Sequence, residues 1–343
     1  MRAAILNSPR NLTISEVQTP LNPRMDEVII KVKYAAICGT DLHLYRGETP
    51  AKYPVILGHE YAGEVLMVGS GIRTFKPGDR VIGSYMVSCG KCRFCIIGKP
   101  HLCERRLMFG INIDGSFAEY MRIPLAERVL VKIPDEINLE DAVLIPDTFL
   151  TALNAVEIGL KAGETILITG LGSIGLSAVI AAKIMGAGKI IGTVRREKPA
   201  KIAEELGVNY IINPEDENIL NKIMKLTDNY GVDISIETSG SPKNIRLAFE
   251  SLKPGGKLIQ VAIPIEPVTL DLKYMIGMEK SIIGALNPGT IIHIEKALNL
   301  IKDRISDLRK IVTHKYDLEE LNKAMEILEK RIEDPVKVMI RID

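Results

Sequence analysis

Two short stretches, Cys38-Gly39-Thr40-Asp41-Leu42-His43 and Gly58-His59-Glu60, bring a thiol, imidazoles, carboxylates and a hydroxyl close together in the chain. Cysteine, histidine and carboxylate are ligand types that zinc takes, and a catalytic zinc needs three, because one position stays open for water or substrate. Read alone, the same residues also describe a buried free cysteine and a glycine turn that carries a histidine. A second cluster, Cys89-Gly90-Lys91-Cys92-Arg93-Phe94-Cys95 followed by Cys103, has a different character. Two successive C-x-x-C steps place three sulfurs on one tight lobe, and Cys103 supplies a fourth. Four thiolates leave no open position, which points to a structural zinc. A redox pair, a disulfide pair or an iron–sulfur cluster are the alternatives. His101 lies nearby and reads as a loop histidine rather than a ligand. A secreted disulfide framework would spread its cysteines through a shorter chain.

A third motif is Gly170-Leu171-Gly172-Ser173-Ile174-Gly175. The apolar run Thr165–Thr169 precedes it and a helical pattern, Leu176–Gly186, follows. In that setting G-x-G-x-x-G permits a tight turn and brings a pyrophosphate to a helix N-terminus. Strands and helices then alternate: Lys189–Val194, Glu197–Leu206, Tyr210–Ile212, Glu217–Thr227, Val232–Glu237, Pro242–Leu252 and Lys257–Ala262. That order predicts a Rossmann-type, doubly wound parallel sheet.

The elements that must position the first cluster are less regular. Short strands are expected at Ala3–Leu6, Leu12–Val17, Val28–Tyr34, Ala62–Gly69 and Arg128–Ile133, punctuated by proline and glycine turns. Leu139–Gly159 reads as a helix interrupted at Pro146-Asp147. A carboxylate beside a helix break is well placed to face a site. Its simplest local role is an N-cap for Thr148–Gly159. Toward the C-terminus a strand is expected near Ser281–Ala285, helices at Ile291–Lys302 and Leu318–Lys330, and a last strand, Val336–Ile340, that returns to the first domain.

The length of 343 residues exceeds what one core usually supports, so two domains are expected. Apolar residues at 46% and charged residues at 25% fit a soluble globular enzyme. A net charge of +1 with no basic tract argues against nucleic-acid or anionic-membrane partners. The stretch Met1–Asn7 lacks a signal-peptide core, and no apolar run approaches the ~18 residues of a membrane span. The expected location is the cytoplasm. The absence of Trp and the presence of Gln only at Gln18 and Gln260 fit a thermophile.

Together these motifs resemble the zinc-containing medium-chain alcohol dehydrogenase family along essentially the whole chain. The most specific parts are Gly58-His59-Glu60-x-x-Gly63-x-x-x-x-x-Gly69, the four-cysteine lobe and Gly170-x-Gly172-x-x-Gly175. The resemblance implies an α/β chain: a GroES-like β-rich catalytic domain plus an inserted Rossmann coenzyme-binding domain. The expected boundaries are 1–148, 149–286 and 287–343. It implies that Cys38 and His59 ligate the catalytic zinc and that the third ligand is Asp147. No second cysteine exists outside the lobe, so the chain departs from the Cys₂His form. Asp147 is similar to the aspartate of microbial secondary-alcohol dehydrogenases, whereas polyol and threonine dehydrogenases commonly carry glutamate there. Glu60 is expected as a fourth, exchanging ligand. Thr40 and His43 match the proton-relay positions.

Cofactor-binding residues are expected at Gly170, Gly172, Ser173, Ile174, Gly175, Arg195, Arg196, Ser239, Ala262 and Ala285. The usual NAD signal is an acid about 20 positions past the glycines. Val194 stands near that place and Arg195-Arg196 follow. Missing repulsion and two guanidiniums favour NADP(H). The paired arginines also resemble those of NADP-accepting archaeal glucose dehydrogenases. NAD(H) is the alternative, since Arg195 could stack on adenine and Glu197 could serve the ribose.

The substrate is expected to be a small-molecule alcohol or ketone, a secondary alcohol or a polyol. The turn Gly284-Ala285-Leu286-Asn287-Pro288-Gly289 resembles that of secondary-alcohol and butanediol-type enzymes, and Leu57, Phe109 and Phe149 could make a pocket apolar. Threonine or sugar dehydrogenation, a zinc-free reductase and a non-catalytic nucleotide sensor are the other readings. Family analogy implies a homotetramer, with Ser281–Ala285 able to pair across a two-fold axis.

Overall fold

The strand Val28–Ile37, with the sequence VIIKVKYAAI, organises the first of two units. Val28, Ile29, Ile30, Val32, Ala35 and Ala36 are fully buried, so both faces of this strand are covered. Fully burying one large aliphatic side chain contributes about 1.5–3 kcal/mol. The strand pairs antiparallel with Glu60–Val68 on one side and with Lys337–Arg341 on the other. Its sheet runs Leu130–Lys132, Arg80–Gly83, Glu60–Val68, Val28–Ile37, Lys337–Arg341, Val312–Asp317, and Tyr120–Ile123 also pairs with Val28–Ile37. A smaller antiparallel sheet is formed by Asn11–Glu16, Arg2–Ser8 and Val55–Ile56. Leu6, Val28, Ile30, Leu57, Phe117 and Val338 belong to one continuous core of this unit. The last strand pairs with Val28–Ile37 of this unit, Val338 opposite Ile37, and its consecutive apolar residues Val338, Met339 and Ile340 are all buried.

This computed structural model describes residues 1–264 and 266–342. It divides into one unit made of Met1–Leu150, Pro288–Ile305 and the stretch from Val312, and another made of Thr151–Asn287 with Ser306–Ile311. The expected third segment, 287–343, lay wholly in the first domain. Here Ser306–Ile311 packs with the second unit, where Lys310 lies 3.9 Å from Glu205.

The second unit carries a six-stranded, all-parallel sheet in the order Tyr210–Ile212, Lys189–Thr193, Thr165–Thr169, Val232–Glu237, Leu252–Gln260, Ser281–Gly284. Numbered within this unit the order is 3-2-1-4-5-6, that of dinucleotide-binding folds. The strands read as near-continuous apolar runs, as they must when helices cover both faces. The fifth strand begins at Leu252 rather than the expected Lys257, and a register irregularity lies between the Val232–Leu252 and Ile234–Lys257 pairs. Pro254-Gly255-Gly256 in that stretch mimics a turn in the sequence.

Two further expectations are corrected. Leu139–Gly159 is a helical path of 21 residues that is, by length and composition, long and apolar enough to reach membrane-span size. Its apolar window is 72% buried within the fold, which marks a core element. The same run is interrupted at Pro146-Asp147 as expected, though by a change of helix type rather than by a new helix start. It passes from Leu139–Ala142 through a π-turn, Ile145–Phe149, into the helix Leu150–Gly159. Asp147 therefore lies inside a continuing helical path rather than at the N-cap position expected of it.

Candidate active site

Three strand ends meet at the first cluster. Val28–Ile37 delivers Cys38, which begins the helix Gly39–Arg46. Glu60 opens the strand Glu60–Val68 and stands opposite Ala36. Lys337 opens the last strand, one residue before Val338, which stands opposite Ile37. Gly58 adopts a φ of +93°, and a Cβ there would lie 2.5 Å from Ser116 Oγ, so only glycine fits the turn that presents His59. The π-turn aims Asp147 from a fourth direction, with the Phe149 amide bonded to the Leu144 carbonyl at 2.9 Å. Single π-turns inside helices recur at functional sites.

The result is a tight donor set. One ligand atom from each of Cys38, His59, Glu60 and Asp147 lies within 4.8 Å of every other. His59 Nε2 is 3.4 Å from Asp147 Oδ2, and His59 Nδ1 is 3.4 Å from Asp41 Oδ1. That second pair faces off the hydrogen-bond direction, and neither buried atom has another hydrogen-bond partner among the described residues. Asp41 in turn accepts the Cys38 amide at 2.8 Å. The Asp41 charge thus faces the ring nitrogen turned away from Asp147, the side from which carboxylates commonly support metal-ligating imidazoles. Burial alone would lower the His59 imidazolium, but Asp41, then Asp147 and Cys38, hold its pKa well above the ordinary value. Burial also pushes the Glu60 carboxyl up to about 7, against the opposing Lys337 ammonium. A thiol, an imidazole and two carboxylates converging in a buried space make a donor set that fits a zinc ion.

Glu60 is held from the far side. Thr148 Oγ1 lies 3.2 and 3.1 Å from its two oxygens, and Lys337 Nζ donates to Oε1 at 2.5 Å. Asp41, Thr148 and Lys337 carried no expected role. Asp41 lay within the motif, between Thr40 and His43. Nothing in the sequence connects Thr148 or Lys337 to Glu60.

Thr40 and His43, the residues expected to relay the proton, share the helix Gly39–Arg46. Thr40 Oγ1 is 3.9 Å from Cys38 Sγ. His43 is at the surface, its Nδ1 2.5 Å from Glu48 Oε2. His293 and His314 serve local roles, beside Thr290 at the start of a helix and beside Thr313.

The four-cysteine lobe gathers Cys89, Cys92, Cys95 and Cys103 with their sulfurs within 4.8 Å. All are free thiols, which removes the disulfide alternative for this structure. The amides of Cys89 and Arg105 donate to Cys103 Sγ at 3.3 and 3.4 Å. Backbone donors, that of Lys91 foremost, bring Cys89 down to about 6, while burial raises Cys95 to about 11. Amides aimed at sulfur favour thiolate, the form that binds metal. His101 sits in the neighbouring turn Pro100–Leu102, outside the sulfur set.

In the second unit Gly170 adopts a φ of +90°, and Gly172 caps the helix Ser173–Ile184. A Cβ on Gly175 would come within 2.2 Å of the Gly170 carbonyl, whereas one on Gly172 would meet nothing within 4 Å. Gly175 thus closes the turn, and Gly172 leaves its backbone open to a ligand. Ser173 and Ile174 follow, half-buried, in the first helical turn. Ser239, Ala262 and Ala285 each come just after a strand's carboxyl end, at Glu237, Gln260 and Gly284. Arg195 follows the second strand and is paired with Glu215 at 3.1 Å, while Arg196 caps the helix Glu197–Glu205.

A parallel sheet with this turn, and a cluster with this donor set, define a metal- and nucleotide-linked oxidoreductase. The alcohol dehydrogenase GroES-like domain family matches residues 24–135, and the zinc-binding dehydrogenase family matches residues 173–303. The chain is 34% identical to the sorbitol dehydrogenase of Bacillus subtilis, over 99% of this chain and 97% of that one. It is 33% identical to the L-threonine 3-dehydrogenase of Bacillus licheniformis, over 95% of each. A solved structure from Sinorhizobium meliloti 1021, described as a zinc-binding dehydrogenase bound to NADP, superposes with a TM-score of 0.91 at 29% identity, covering 99% of each chain. The chain belongs to the zinc-containing medium-chain alcohol dehydrogenase family.

Proposed function

We propose that the chain transfers hydride between an alcohol, a secondary alcohol or polyol, and a nicotinamide cofactor. The observation that carries this reading is the convergence of Cys38, His59, Glu60 and Asp147. These four would hold the catalytic zinc, and Cys89, Cys92, Cys95 and Cys103 a structural one. When bound, zinc supplies Lewis acidity that lowers the pKa of an alcohol, and the nicotinamide accepts the hydride. The chain's own residues move the proton. Thr40 Oγ1 accepts it from the substrate hydroxyl as its own hydroxyl proton leaves toward His43. His43, three positions on along the same helix and held by Glu48, passes it to water. Asp41 keeps His59 oriented, and Lys337 and Thr148 hold Glu60 in reserve as an exchanging ligand.

Arg195 and Arg196 favour NADP(H), with NAD(H) as the alternative. Gly170, Gly172, Ser173, Ile174 and Gly175 would receive the pyrophosphate, and Ser239, Ala262 and Ala285 would line the rest of the cofactor site. The sorbitol relative favours a polyol, and the threonine relative keeps a 3-hydroxy amino acid in view. The decisive experiment measures kcat/KM for secondary alcohols, 2,3-diols, hexitols, aldoses and L-threonine with both cofactors. No turnover of any of them by zinc-replete protein would favour a nucleotide sensor instead. We further assign a homotetramer in the cytoplasm, supported by family analogy for the assembly and, for the compartment, by cysteines that cluster at metal-type spacing, four of five within Cys89–Cys103, rather than spreading as a disulfide framework.

A further inference from the structure

Glu237 closes the strand Val232–Glu237 and is fully buried, yet neither the reaction nor the sequence motifs assign it a role. Its Oε1 accepts the Ser239 amide at 2.8 Å and the Ser239 hydroxyl. Its Oε2 accepts the Gly240 amide at 3.0 Å and Gln260 Nε2 at 2.8 Å. Ser239 Oγ itself accepts from Asn244 Nδ2 at 3.0 Å and from the Ser241 amide at 3.2 Å. Gln260 Nε2 also donates to the Ala262 carbonyl at 2.7 Å. One carboxylate thus ties the loop after the fourth strand to the end of the fifth.

This knot stands directly against the glycine turn. A Cβ on Gly170 would lie 2.7 Å from Ser239 Cβ, and one on Gly175 would lie 3.0 Å from Thr238 Oγ1. The Thr238 hydroxyl donates to the Gly170 carbonyl at 2.5 Å. The turn is therefore backed by residues whose own positions depend on Glu237. A carboxylate suits the place because its two oxygens can accept from four donors at once, as they do here.

We infer that Glu237 is a positioning residue for the dinucleotide: it fixes Thr238–Ser241 against Gly170 and so holds the turn in the shape that receives a pyrophosphate. The inference rests on the reading of Gly170–Gly175 as the nucleotide turn. In Glu237→Gln the new amide would face the Gly240 amide and the Gln260 amide, donor against donor. Gln260 could rotate, since its buried Oε1 has no hydrogen-bond partner among the described residues, but the Ala262 carbonyl would then lose its donor.

The test uses the full-length, zinc-loaded protein and titration calorimetry with NADP, NAD and ADP-ribose, each of which carries the pyrophosphate. Glu237→Gln should raise Kd about tenfold for the ligands that wild type binds and by similar factors, with kcat at saturating cofactor far less affected. Gln260→Leu, at a residue outside the nucleotide set, keeps the bulk of the side chain and removes only the Nε2 donor to Glu237 and to the Ala262 carbonyl. It should weaken binding in the same direction by a smaller factor, and it decides the matter if Glu237→Gln does not fold. A lowered melting temperature with unchanged Kd would mean a structural role only and would overturn the inference. A rise confined to NADP would overturn it too, by pointing to the 2′-phosphate. If the wild type binds none of the three ligands, the nucleotide reading fails and this inference with it. If the wild type binds and the variants match it, this inference alone fails.

Discussion

Lys337 and Glu60 are 2% and 1% exposed, so each depends on the other for its counter-charge. Removing one partner of a buried ion pair leaves an uncompensated charge, at a cost of about 3–5 kcal/mol. Lys337→Met should lower the unfolding free energy by that order, and adding Glu60→Gln should recover much of it. Denaturant titration checks both variants, and an undisturbed midpoint in Lys337→Met would refute the coupling. His59→Ala acts on chemistry instead. Turnover should vanish and zinc content should fall from two ions per chain to one, with the fold largely intact by circular dichroism. The arginines concern the cofactor. Arg195 and Glu215 are 51% and 64% exposed, and an ion pair so open to water is worth little, so Glu215 yields readily to a phosphate. Replacing Arg195 and Arg196 with alanine should cost NADP about tenfold or more in kcat/KM, at about 1.4 kcal/mol per decade, and leave NAD nearly unchanged. Equal losses for both cofactors, or a wild type that prefers NAD, would show that the arginines do not read the phosphate.

Among the elements, the glycine turn separates folding from binding. Gly175→Ala forces a methyl to within 2.2 Å of the Gly170 carbonyl, so it should destabilise the second unit and abolish cofactor binding together. Gly172→Ala points its methyl into open space. The cofactor-free protein should keep its melting temperature, while NADP affinity falls about tenfold or more. Thermal melts alongside calorimetry distinguish the two, and a Gly172→Ala variant with normal affinity would place the pyrophosphate elsewhere. The π-turn makes a comparable point for the cluster of Cys38, His59, Glu60 and Asp147. One extra residue in the helical path rotates Asp147 toward His59, which a regular helix interrupted by a capping residue would not do.

For the whole molecule, metal and assembly are the measurable quantities. Cys92→Ser should lower the melting temperature, because metal binding to the lobe contributes folding energy. Metal analysis of carefully prepared protein should find two zinc ions per chain, and one or none would overturn the division into two roles. The edge strand Ser281–Gly284 leaves Ile282 40% exposed with no strand beyond it in its sheet among the described residues. An open apolar edge invites pairing with another copy. Light scattering at micromolar concentration should give a tetramer, and Ile282→Lys should shift it toward smaller species.

What the sequence determined by itself is what neighbouring residues encode. Four cysteines within a 15-residue span, a glycine turn between a strand and a helix, and alternating apolar periods carry their meaning in covalent spacing. They read as a four-thiol lobe, a tight glycine turn and a parallel sheet, and the folded chain carries each of those elements. Cys38, His59, Glu60 and Asp147 were named from family resemblance, yet only the folded chain brings Asp147 to the other three. The partners that hold them were hidden. Glu60 and Lys337 lie 277 positions apart and meet only because two strands register against Val28–Ile37 from opposite sides. A slip of one residue in either register would turn those side chains to the other face. Asp41 behind His59, Thr148 on Glu60, and Glu237 beneath the glycine turn depend on the same kind of long-range placement. Residue spacing specifies a local element, but which side chains meet across elements is decided by packing and register, and these exist only in the folded chain.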